Sequence, residues 1–353
     1  MPPRKISVVG GLNMDLVFQT ERMPAIGESM DGTALEYYPG GKGANTAVAA
    51  YRASHENPLI LSRQNRHSTP SDLTSGAHSE SNSPSTRSRD RDIRVFMNGA
   101  VGDDEYGLRL KQKLSVMGIN VSGIETFPGE PSGTCVVFVE KDSGESRNLA
   151  YQGANLKWTW SHGASIEQLA AGQRPDLVIA HLGVRRDQVE RILEVAAQEG
   201  VETLLNPSPA VYLISATYRN VTHLVMNEPE AAMLSGRALE SFNDEETWKE
   251  AAADFIEMGV KNVVLTLGEK GAYFATWHGV SGIIEAEKDV QVADTTGAGD
   301  TFVGMYAVEY IRQKQQGQWD IAKAVRRACK ASARTIERFG AQESIPWANE
   351  VDA

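Results

Sequence analysis

A glycine-rich run that ends in a carboxylate is the first feature of this sequence that could do chemistry. The run is Asp294–Phe302, and it lies between the apolar stretch Val290–Val292 and a segment whose apolar residues have helical spacing. Glycines allow a tight turn, and the first backbone N–H groups of the following helix would converge on one point, as they do in anion sites. We call this expected site the anion cradle, and its residues are Gly297, Ala298 and Gly299.

Asp300 directly follows the anion cradle, and its charge sets a second expectation. A carboxylate beside a bound phosphoryl group would repel it, unless the carboxylate accepts a proton from an attacking hydroxyl group. This reasoning indicates a general base. The alternative is that Asp300 caps the N-terminus of an ordinary helix, since Asp is a favoured N-cap residue. The local sequence leaves both interpretations open.

Short apolar runs alternate with helical patterns from about residue 93 onward, and they indicate the scaffold that positions this turn. Leu177–Ala180, for example, precedes a helical pattern that ends at Gly200, and Asn262–Leu267 forms another such run. Continuous apolar strands between helices predict a mostly parallel sheet covered on both faces. We therefore expect one α/β domain over 1–353 with three layers, α/β/α, and a ligand site beyond the carboxyl ends of the strands.

Two stretches, 14–38 and 133–151, break this rhythm. Both alternate apolar and polar residues, contain turn residues and carry no helix signals. We interpret them as a small antiparallel β-sheet outside the main layer. This sheet is expected to act as a lid over the active site.

A third stretch, 54–92, is rich in serine, and beyond Leu61 charged and turn residues dominate it. Such a composition cannot bury enough apolar surface to offset the entropy that ordering costs. We therefore expect a disordered surface insertion. Within it, only Leu59–Leu61 could form a strand.

The charge and the cysteine content indicate which binding partners and which cellular compartment to expect. Asp and Glu number 46 against 35 Lys and Arg, a formal charge of -11, so we expect no general attraction to nucleic acid or anionic membranes. Only Cys135 and Cys329 are present, as is typical of a reducing compartment. No apolar run is long enough to span a membrane, and Met1–Lys5 shows no signal-peptide pattern. We expect a cytoplasmic protein that could also enter the nucleus.

Further motifs, together with Asp294–Phe302, resemble the signatures of the PfkB (ribokinase-like) family of sugar kinases. The N-terminal signature is present as Gly10–Asp15 and Pro39–Ala49. Other matches occur in the family's order: Tyr151–Asn155, Leu205–Ala210, Asn227–Glu230, Thr266–Gly271, Gly340–Gln342 and Ser344–Trp347. The resemblance covers nearly the whole chain except 54–92, and it implies the three-layer fold with a β lid.

The resemblance implies a sugar site. In the family, the pair that Asn13 and Asp15 match hydrogen-bonds sugar hydroxyls, and the glycines beside Lys42 allow the backbone to approach the sugar. The set assigned to the sugar is Asn13, Asp15, Gly41, Lys42, Gly43, Asn45, Glu145 and Asp300. The residues alone would also allow a cap at Asn13 and plain surface carboxylates at Asp15 and Glu145.

The resemblance also implies a site for ATP and Mg²⁺. Asn227 and Glu230 match an Asn-x-x-Glu motif that acts on the magnesium and the phosphates through the ion's water shell. By themselves these two residues would equally suit the first turn of a helix. The residues assigned to the nucleotide are Asn206, Asn227, Thr266, Gly268, Gly271, Gly299 and Cys329. Cys329 stands where some members have His, so the adenine contacts are expected to differ.

A monovalent-cation site, with K⁺ as the expected ion, is implied at Asp294 and the carbonyl group of Thr296. Backbone groups near four further residues complete it: Thr335, Arg338, Gly340 and Ser344. The ion would not touch the substrate but would hold the anion cradle in shape. Asp294 could instead be a structural turn residue only.

The loop at 181–184 departs from the family. It lacks the acidic residue that bacterial members carry at this strand end. We interpret His181, which lies there, as a hydrogen-bonded polar group rather than a catalytic one.

Together these matches imply a kinase that uses ATP to phosphorylate D-ribose at its 5-hydroxyl, with Asp300 as the general base. They also imply a homodimer joined through the lids. The sequence contains no Gly-x-x-x-x-Gly-Lys-Ser/Thr motif, and no Gly-x-Gly-x-x-Gly follows the first strand, which argues against a Walker-type kinase and a dinucleotide enzyme. The alternatives are another sugar or nucleoside kinase of the family and a non-catalytic, sugar-sensing relative.

Overall fold

A nine-stranded sheet forms the centre of the fold. The structure is a computed structural model, and it describes residues 2–60, 92–140, 146–161 and 163–351. The strands of the described residues are β1 (Arg4–Val9), β2 (Asn13–Thr20), β3 (Ala34–Gly40), β4 (Ile93–Gly102), β5 (Asn120–Phe127), β6 (Gly133–Glu140), β7 (Ser146–Tyr151), β8 (Leu177–His181), β9 (Glu202–Asn206), β10 (His223–Asn227), β11 (Asn262–Thr266), β12 (Ala272–Thr276) and β13 (Ser281–Ile284).

The central sheet has the order β13-β12-β11-β10-β9-β8-β1-β4-β5. All neighbours are parallel except at one edge, where β12 pairs antiparallel with both β11 and β13. Most residues of the inner strands are apolar and buried, as expected of parallel strands covered on both faces. This confirms the predicted mostly parallel sheet.

Helices cover both faces of this sheet. They are α1 (Lys42–Ser54), α2 (Glu105–Met117), α3 (Arg186–Gln198), α4 (Glu228–Ser235), α5 (Glu245–Glu257), α6 (Ala298–Gln315), α7 (Ile321–Ile336) and α8 (Ala348–Val351). One buried apolar cluster joins α1, α2, α6 and α7 to one face, and a second joins α3, α4 and α5 to the other. The three-layer α/β/α architecture is therefore confirmed.

Close packing of α1 against α6 is the contact that matters most for the site. A Cβ atom placed on Gly304 of α6 would lie 2.5 Å from the Cβ of Ala49 and 2.6 Å from the backbone nitrogen of Ala50, both in α1. Only a glycine leaves room for this approach. Ala49 and Gly304 each lie one helical turn beyond a residue of the predicted site, Asn45 and Asp300, and so these two are brought together as well.

The second sheet has the order β3-β2-β6-β7, and its strands come from the two stretches predicted to form a lid. Its outer pairs, β2 with β3 and β6 with β7, are antiparallel hairpins as expected. Its central pair, β2 with β6, is parallel, so the sheet is mixed rather than wholly antiparallel. The reason is that β2 and β6 each run outward from the same edge of the main domain, at Asn13 and Gly133, which pair with each other.

The predicted insertion at 54–92 begins with ordered residues. Helix α1 ends at Ser54, the ring of His55 stacks on that of Tyr51 at 4.0 Å, and Pro58–Ile60 are helical rather than part of a strand. The remainder of the insertion, 61–91, lies outside the described residues. Among the described helices, none combines the length and the apolar character that crossing a membrane requires.

Candidate active site

The predicted site residues meet where the strands of the central sheet end. Strands β1, β8, β9, β10 and β11 all run in the same direction, so their carboxyl ends share one edge. The N-termini of α1 and α6 face this edge, and β2 leaves the main domain beside it. The site is therefore the crevice that the sheet topology favours for ligands.

The anion cradle forms the first turn of α6. Gly297 is the N-cap residue with a φ of 83°, a left-handed conformation that suits glycine. The backbone N–H of Ala298 donates to the carbonyl of Thr295 at 3.3 Å, whereas a Cβ on Gly299 would meet no atom within 4 Å, so this side of the turn is open. Free N–H groups at an open helix N-terminus can bind an anion.

Asp300 is the third residue of α6, not its N-cap, so the capping alternative does not describe it. Its side chain is buried, with 6% of the residue's surface exposed. Burial raises the pKa of Asp300, while the positive charge of Lys42 and a hydrogen bond from Asn45 oppose the rise and the charge of Glu230 adds to it. A raised pKa brings a carboxylate closer to what a general base requires near neutral pH.

A chain of amides holds this carboxylate in place. The Nδ2 of Asn45 donates to the Oδ2 of Asp300 at 2.9 Å, and the Nε2 of Gln342 donates to the Oδ1 of Asn45 at 3.1 Å. Gln342 was not among the predicted site residues. The matching Gly340–Gln342 motif was a signal for it, although a contact over 297 positions could not be inferred from spacing.

Asn13 and Asp15 both lie in β2. The Oδ1 of Asn13 accepts a hydrogen bond from the Nδ2 of Asn155 at 2.9 Å. Asn155, another residue without a predicted role, is itself fixed by two 3.0 Å bonds to the backbone of Leu12. Burial, and then the charge of Asp300, raise the pKa of Asp15 to about 7. The two acids thus lie close enough for their charges to interact.

The glycines on either side of Lys42 bring α1 against the end of β1. Gly41 has a φ of 90°, and a Cβ on it would lie 2.6 Å from the backbone nitrogen of Asn13. A Cβ on Gly43 would lie 2.7 Å from the Cα of Gly10. Both positions are structural requirements for placing α1, in addition to any approach to a sugar. Glu145, the remaining predicted sugar residue, lies outside the described residues.

The predicted nucleotide residues follow β9, β10 and β11. The Nδ2 of Asn206 donates to the carbonyl of Val225 at 2.8 Å, and the hydroxyl of Thr266 donates to the carbonyl of Met226 at 3.3 Å. Gly268 and Gly271 bound a short turn after β11. Cys329 lies in α7. Burial, and then the negative charge of Glu287, raise the pKa of its thiol to about 12.

His181 is only partly satisfied, which corrects the expectation from the sequence. Its Nδ1 is 3.0 Å from the Oδ1 of Asn206, but its Nε2 is buried and has no hydrogen-bond partner in the part of the chain that the structure describes. Burial, and then the charge of Lys42, lower the pKa of His181 to about 3. The ring is therefore neutral at any working pH.

Asn227 and Glu230 form a capping box at the start of α4. The backbone N–H of Glu230 donates to the Oδ1 of Asn227 at 2.8 Å, and the N–H of Asn227 donates to the Oε2 of Glu230 at 3.1 Å. The helix-turn alternative is thus correct for their local structure. The Glu230 carboxylate still lies close enough to raise the pKa of Asp300. Among the described residues there is no cluster of three or more His, Cys, Asp or Glu that could hold a metal by itself.

Asp294 ties two loops together. Its Oδ1 accepts from the N–H of Thr296 at 2.9 Å, and its Oδ2 accepts from the N–H of Gly340 at 3.0 Å. The hydroxyl of Ser344, nearby in sequence, is buried and finds no partner among the described residues. The backbone N–H of Arg338 donates to the carbonyl of Thr335 at 3.2 Å, so that this predicted cation contact is engaged within the chain.

Comparison with known proteins gives a consistent result. The family model described as "pfkB family carbohydrate kinase" matches residues 3–61 and 90–348. A ribokinase of Schizosaccharomyces pombe is 33% identical over 350 residues, which are 98% of this chain and 96% of that protein. A deoxyribokinase of Salmonella typhi is 29% identical over 343 residues, 97% of this chain and 95% of that protein.

Solved structures agree on the fold. The Arabidopsis thaliana ribokinase complexed with ribose and ATP has a TM-score of 0.78 and 23% identity, over 99% of this chain and 98% of that one. At this identity the likeness concerns the fold, including the large sheet and the small second sheet.

Proposed function

The chain belongs to the pfkB family of carbohydrate kinases, and from that premise we propose that it transfers the γ-phosphoryl group of ATP to the 5-hydroxyl of D-ribose. It is an ATP-dependent sugar kinase. The observation that carries the proposed mechanism is the buried Asp300, oriented by Asn45 beside the open first turn of α6.

Asp300 is the proposed general base. Its carboxylate accepts the proton of the attacking hydroxyl as that oxygen bonds to the γ-phosphorus and the bond from phosphorus to the bridging oxygen of ADP breaks. The proton then leaves Asp300 for solvent. Since Asn45 holds the Oδ2 of Asp300, the Oδ1 is the atom available for the proton. The anion cradle donates backbone hydrogen bonds to the oxygens of the transferred group.

Mg²⁺ suits the residues present. The ion retains several water ligands and binds phosphates, so a single buried carboxylate at a distance is enough. The Oε2 of Glu230 accepts the hydrogen bond that caps α4, and its other carboxylate oxygen, Oε1, is left to contact the water shell. Bound with ATP, the ion would neutralise charge on the phosphates. Glu230 and Asn227 would orient its water shell.

Recognition of the sugar falls to Asn13, Asp15, Lys42 and Asn45. Asn13 donates through its free amide N–H groups, and the carboxylate of Asp15 accepts from sugar hydroxyls. A deoxy sugar would leave one of these buried groups unpaired, at a cost of about 1 to 3 kcal/mol. 2-Deoxyribose is the second candidate substrate because the chain also resembles a deoxyribokinase over almost its full length.

K⁺ is the proposed monovalent activator. The hydroxyl of Ser344, buried and without a hydrogen-bond partner within the described ranges, supports a ligand in the space between the two loops that Asp294 joins. The carbonyl of Thr296, with groups near Gly340, would supply further oxygens. An ion here stabilises the turn that precedes the anion cradle.

The predicted cytoplasmic location stays a prediction.

The proposed assembly is a homodimer that buries one face of the lid. The strand register places Leu16, Tyr37 and Leu149 with Val136 in one row across the sheet, on the face opposite Asp15 and its cross-strand neighbour Cys135. Leu149 is 72% exposed and Tyr151 60% exposed. A second copy of the same apolar face is the occupant proposed for it.

A coupled assay of ADP formation tests the substrate. The panel is D-ribose, 2-deoxy-D-ribose, D-fructose and adenosine, each with ATP and Mg²⁺ and with or without K⁺. We expect D-ribose to give the highest kcat/KM and K⁺ to raise it. A preference for another member of the panel would reassign the substrate, and ADP formation with none would favour a sensing role.

A further inference from the structure

The hydrogen bonds of His181 fix which of its nitrogens carries the proton. The carbonyl oxygen of Val225 can only accept, so Asn206 must present its NH₂ group to Val225 and its Oδ1 to His181. The Nδ1 of His181 is therefore the protonated nitrogen, and its Nε2 carries a lone pair. That Nε2 is buried without a partner among the described residues, in a side chain that is 0% exposed. A buried acceptor of this kind calls for a donor.

The backbone places the start of α1 beside this acceptor. A Cβ on Gly10 would lie 3.1 Å from the Cβ of His181 and 2.9 Å from the Cα of Gly43, so both residues lie against Gly10. Lys42 is the neighbour of Gly43, and its side chain makes no hydrogen bond or ion pair with the rest of the described chain. The charge of Lys42 acts on both His181 and Asp300. Lys42 is an exposed residue and is the cation whose charge reaches His181, so its ammonium group is the donor that we consider.

We propose that the Nε2 of His181 accepts a hydrogen bond from the ammonium group of Lys42 and so acts as a positioning residue that holds this charge beside Asp300. This inference rests on the proposed function, because the held charge would face the phosphoryl group as it is transferred. His181 would not touch the substrate.

A neutral acceptor has a specific advantage at this place. A carboxylate would pair with Lys42 and cancel its charge, whereas an imidazole orients the ammonium group and leaves the charge available to the phosphates. Residues 181–184 contain no acidic side chain. The pKa of His181, about 3, keeps the ring neutral, so that it does not compete with Lys42 for the phosphates.

Two substitutions test the hydrogen bonds of the two ring nitrogens one at a time. The amide nitrogen of an Asn side chain occupies the place of Nδ1, and the end of a Gln side chain occupies the place of Nε2. H181N therefore keeps a donor for Asn206 and loses the acceptor for Lys42, while H181Q does the opposite. We expect H181N to lower kcat about tenfold or more, the scale of a hydrogen bond to a charged group. H181Q should recover most of kcat.

A double-mutant cycle with K42M identifies the partner. If Lys42 is the donor, H181N in the K42M background should cost less than about twofold in kcat, since the interaction is already absent. A readout without activity is the ¹⁵N NMR spectrum of histidine-labelled protein. We expect a protonated Nδ1 and an unprotonated Nε2 at His181, with the Nε2 resonance shifting in K42M and the Nδ1 resonance staying in place.

The remaining outcomes would overturn the proposal. Three concern kcat of the single variants: a lower kcat in H181Q but not in H181N, an equal decrease in both with a lower Tm, or no decrease in either. Two concern Lys42: a decrease in kcat from H181N that is just as large in the K42M background, or an Nε2 resonance that K42M leaves in place. If the wild-type chain forms no ADP with any sugar, the proposed function fails, and the NMR comparison still decides the bond to Lys42.

Discussion

Two acids, Asp15 and Asp300, lie close together in the site, and the charge of Asp300 raises the cost of ionising Asp15. Burial is the main cause for both, and the charge of Asp300 also contributes to the raised pKa of Asp15. Such a pair suits a site in which one carboxylate accepts hydrogen bonds and the other accepts a proton. Lys42 and Asn45 keep Asp300 able to ionise, so its neighbours, rather than its residue type, set its role.

Asp15→Asn should weaken sugar binding and stabilise the empty protein at high pH. The pKa of Asp15 rises from 3.8 in the unfolded chain to about 7 when folded, so the ionised carboxylate destabilises the fold above pH 3.8 and does so fully above about pH 7. The variant should therefore have a higher Tm than wild type at pH 8, and the gain should disappear near pH 4. The titratable groups that face Asp15 are Asp300 and Cys135.

Thermal unfolding at the two pH values and isothermal titration with D-ribose measure both effects. Asp31→Asn, the same change at an exposed position, is the control and should alter neither. A Tm gain that is equal at pH 4 and pH 8 would contradict the account. So would unchanged affinity for ribose.

At the scale of elements, small residues determine how α1 and α6 meet, and this contact positions Asn45 against Asp300. Both helices were predictable because their glycine motifs and apolar spacing are local signals. Gln342 and Asn155 were not, because their bonds to Asn45 and Asn13 join segments that are far apart in the chain. For the same reason the sequence could not show that Nδ1 of His181 has a hydrogen-bond partner while its Nε2 has none among the described residues.

Strand direction in the lid shows the same limit of local patterns. Alternating residues predicted all four strands, and the predicted antiparallel pairing is correct for β2 with β3 and for β6 with β7. The parallel pairing of β2 with β6 joins strands more than a hundred residues apart, and alternation carries no information on the direction of a distant neighbour.

Ala49→Val should separate α1 from α6. The side chain is 2% exposed and faces Gly304, so two further methyl groups have no space. We expect a loss of about 1 to 3 kcal/mol in the free energy of unfolding, together with a lower kcat because Asn45 moves away from Asp300. Urea unfolding and steady-state kinetics measure this. Ala197→Val, at an exposed position of α3, is the matched control, and comparable losses in both variants would refute the assigned role of this contact.

At the scale of the whole molecule, a parallel sheet gathers the site at one edge while the second sheet stands beside it. The lid carries Asp15, a proposed sugar-binding residue, on one face and exposed apolar side chains on the other. A surface of this kind is costly in water unless it is covered, which is why the proposed homodimer uses it.

Leu149→Lys should convert the dimer to a monomer, because a charge would be buried at the centre of the apolar face. Light scattering coupled to size-exclusion chromatography gives the mass directly. Leu239→Lys places the same charge at an exposed position after α4 and should leave the mass of a dimer. A monomeric wild type, or a Leu149→Lys variant that stays dimeric, would argue against the lid as the interface.

The most direct test of the general-base role is the rate of phosphoryl transfer in Asp300→Asn, measured by rapid quench with saturating ATP and D-ribose. The account predicts a rate at least about a hundredfold below wild type, the scale of general base catalysis, with an affinity for ribose within about threefold of wild type by calorimetry. Asp244→Asn, the same change at the N-cap of α5, should keep the wild-type rate. A rate within about tenfold of wild type in Asp300→Asn would contradict the mechanism.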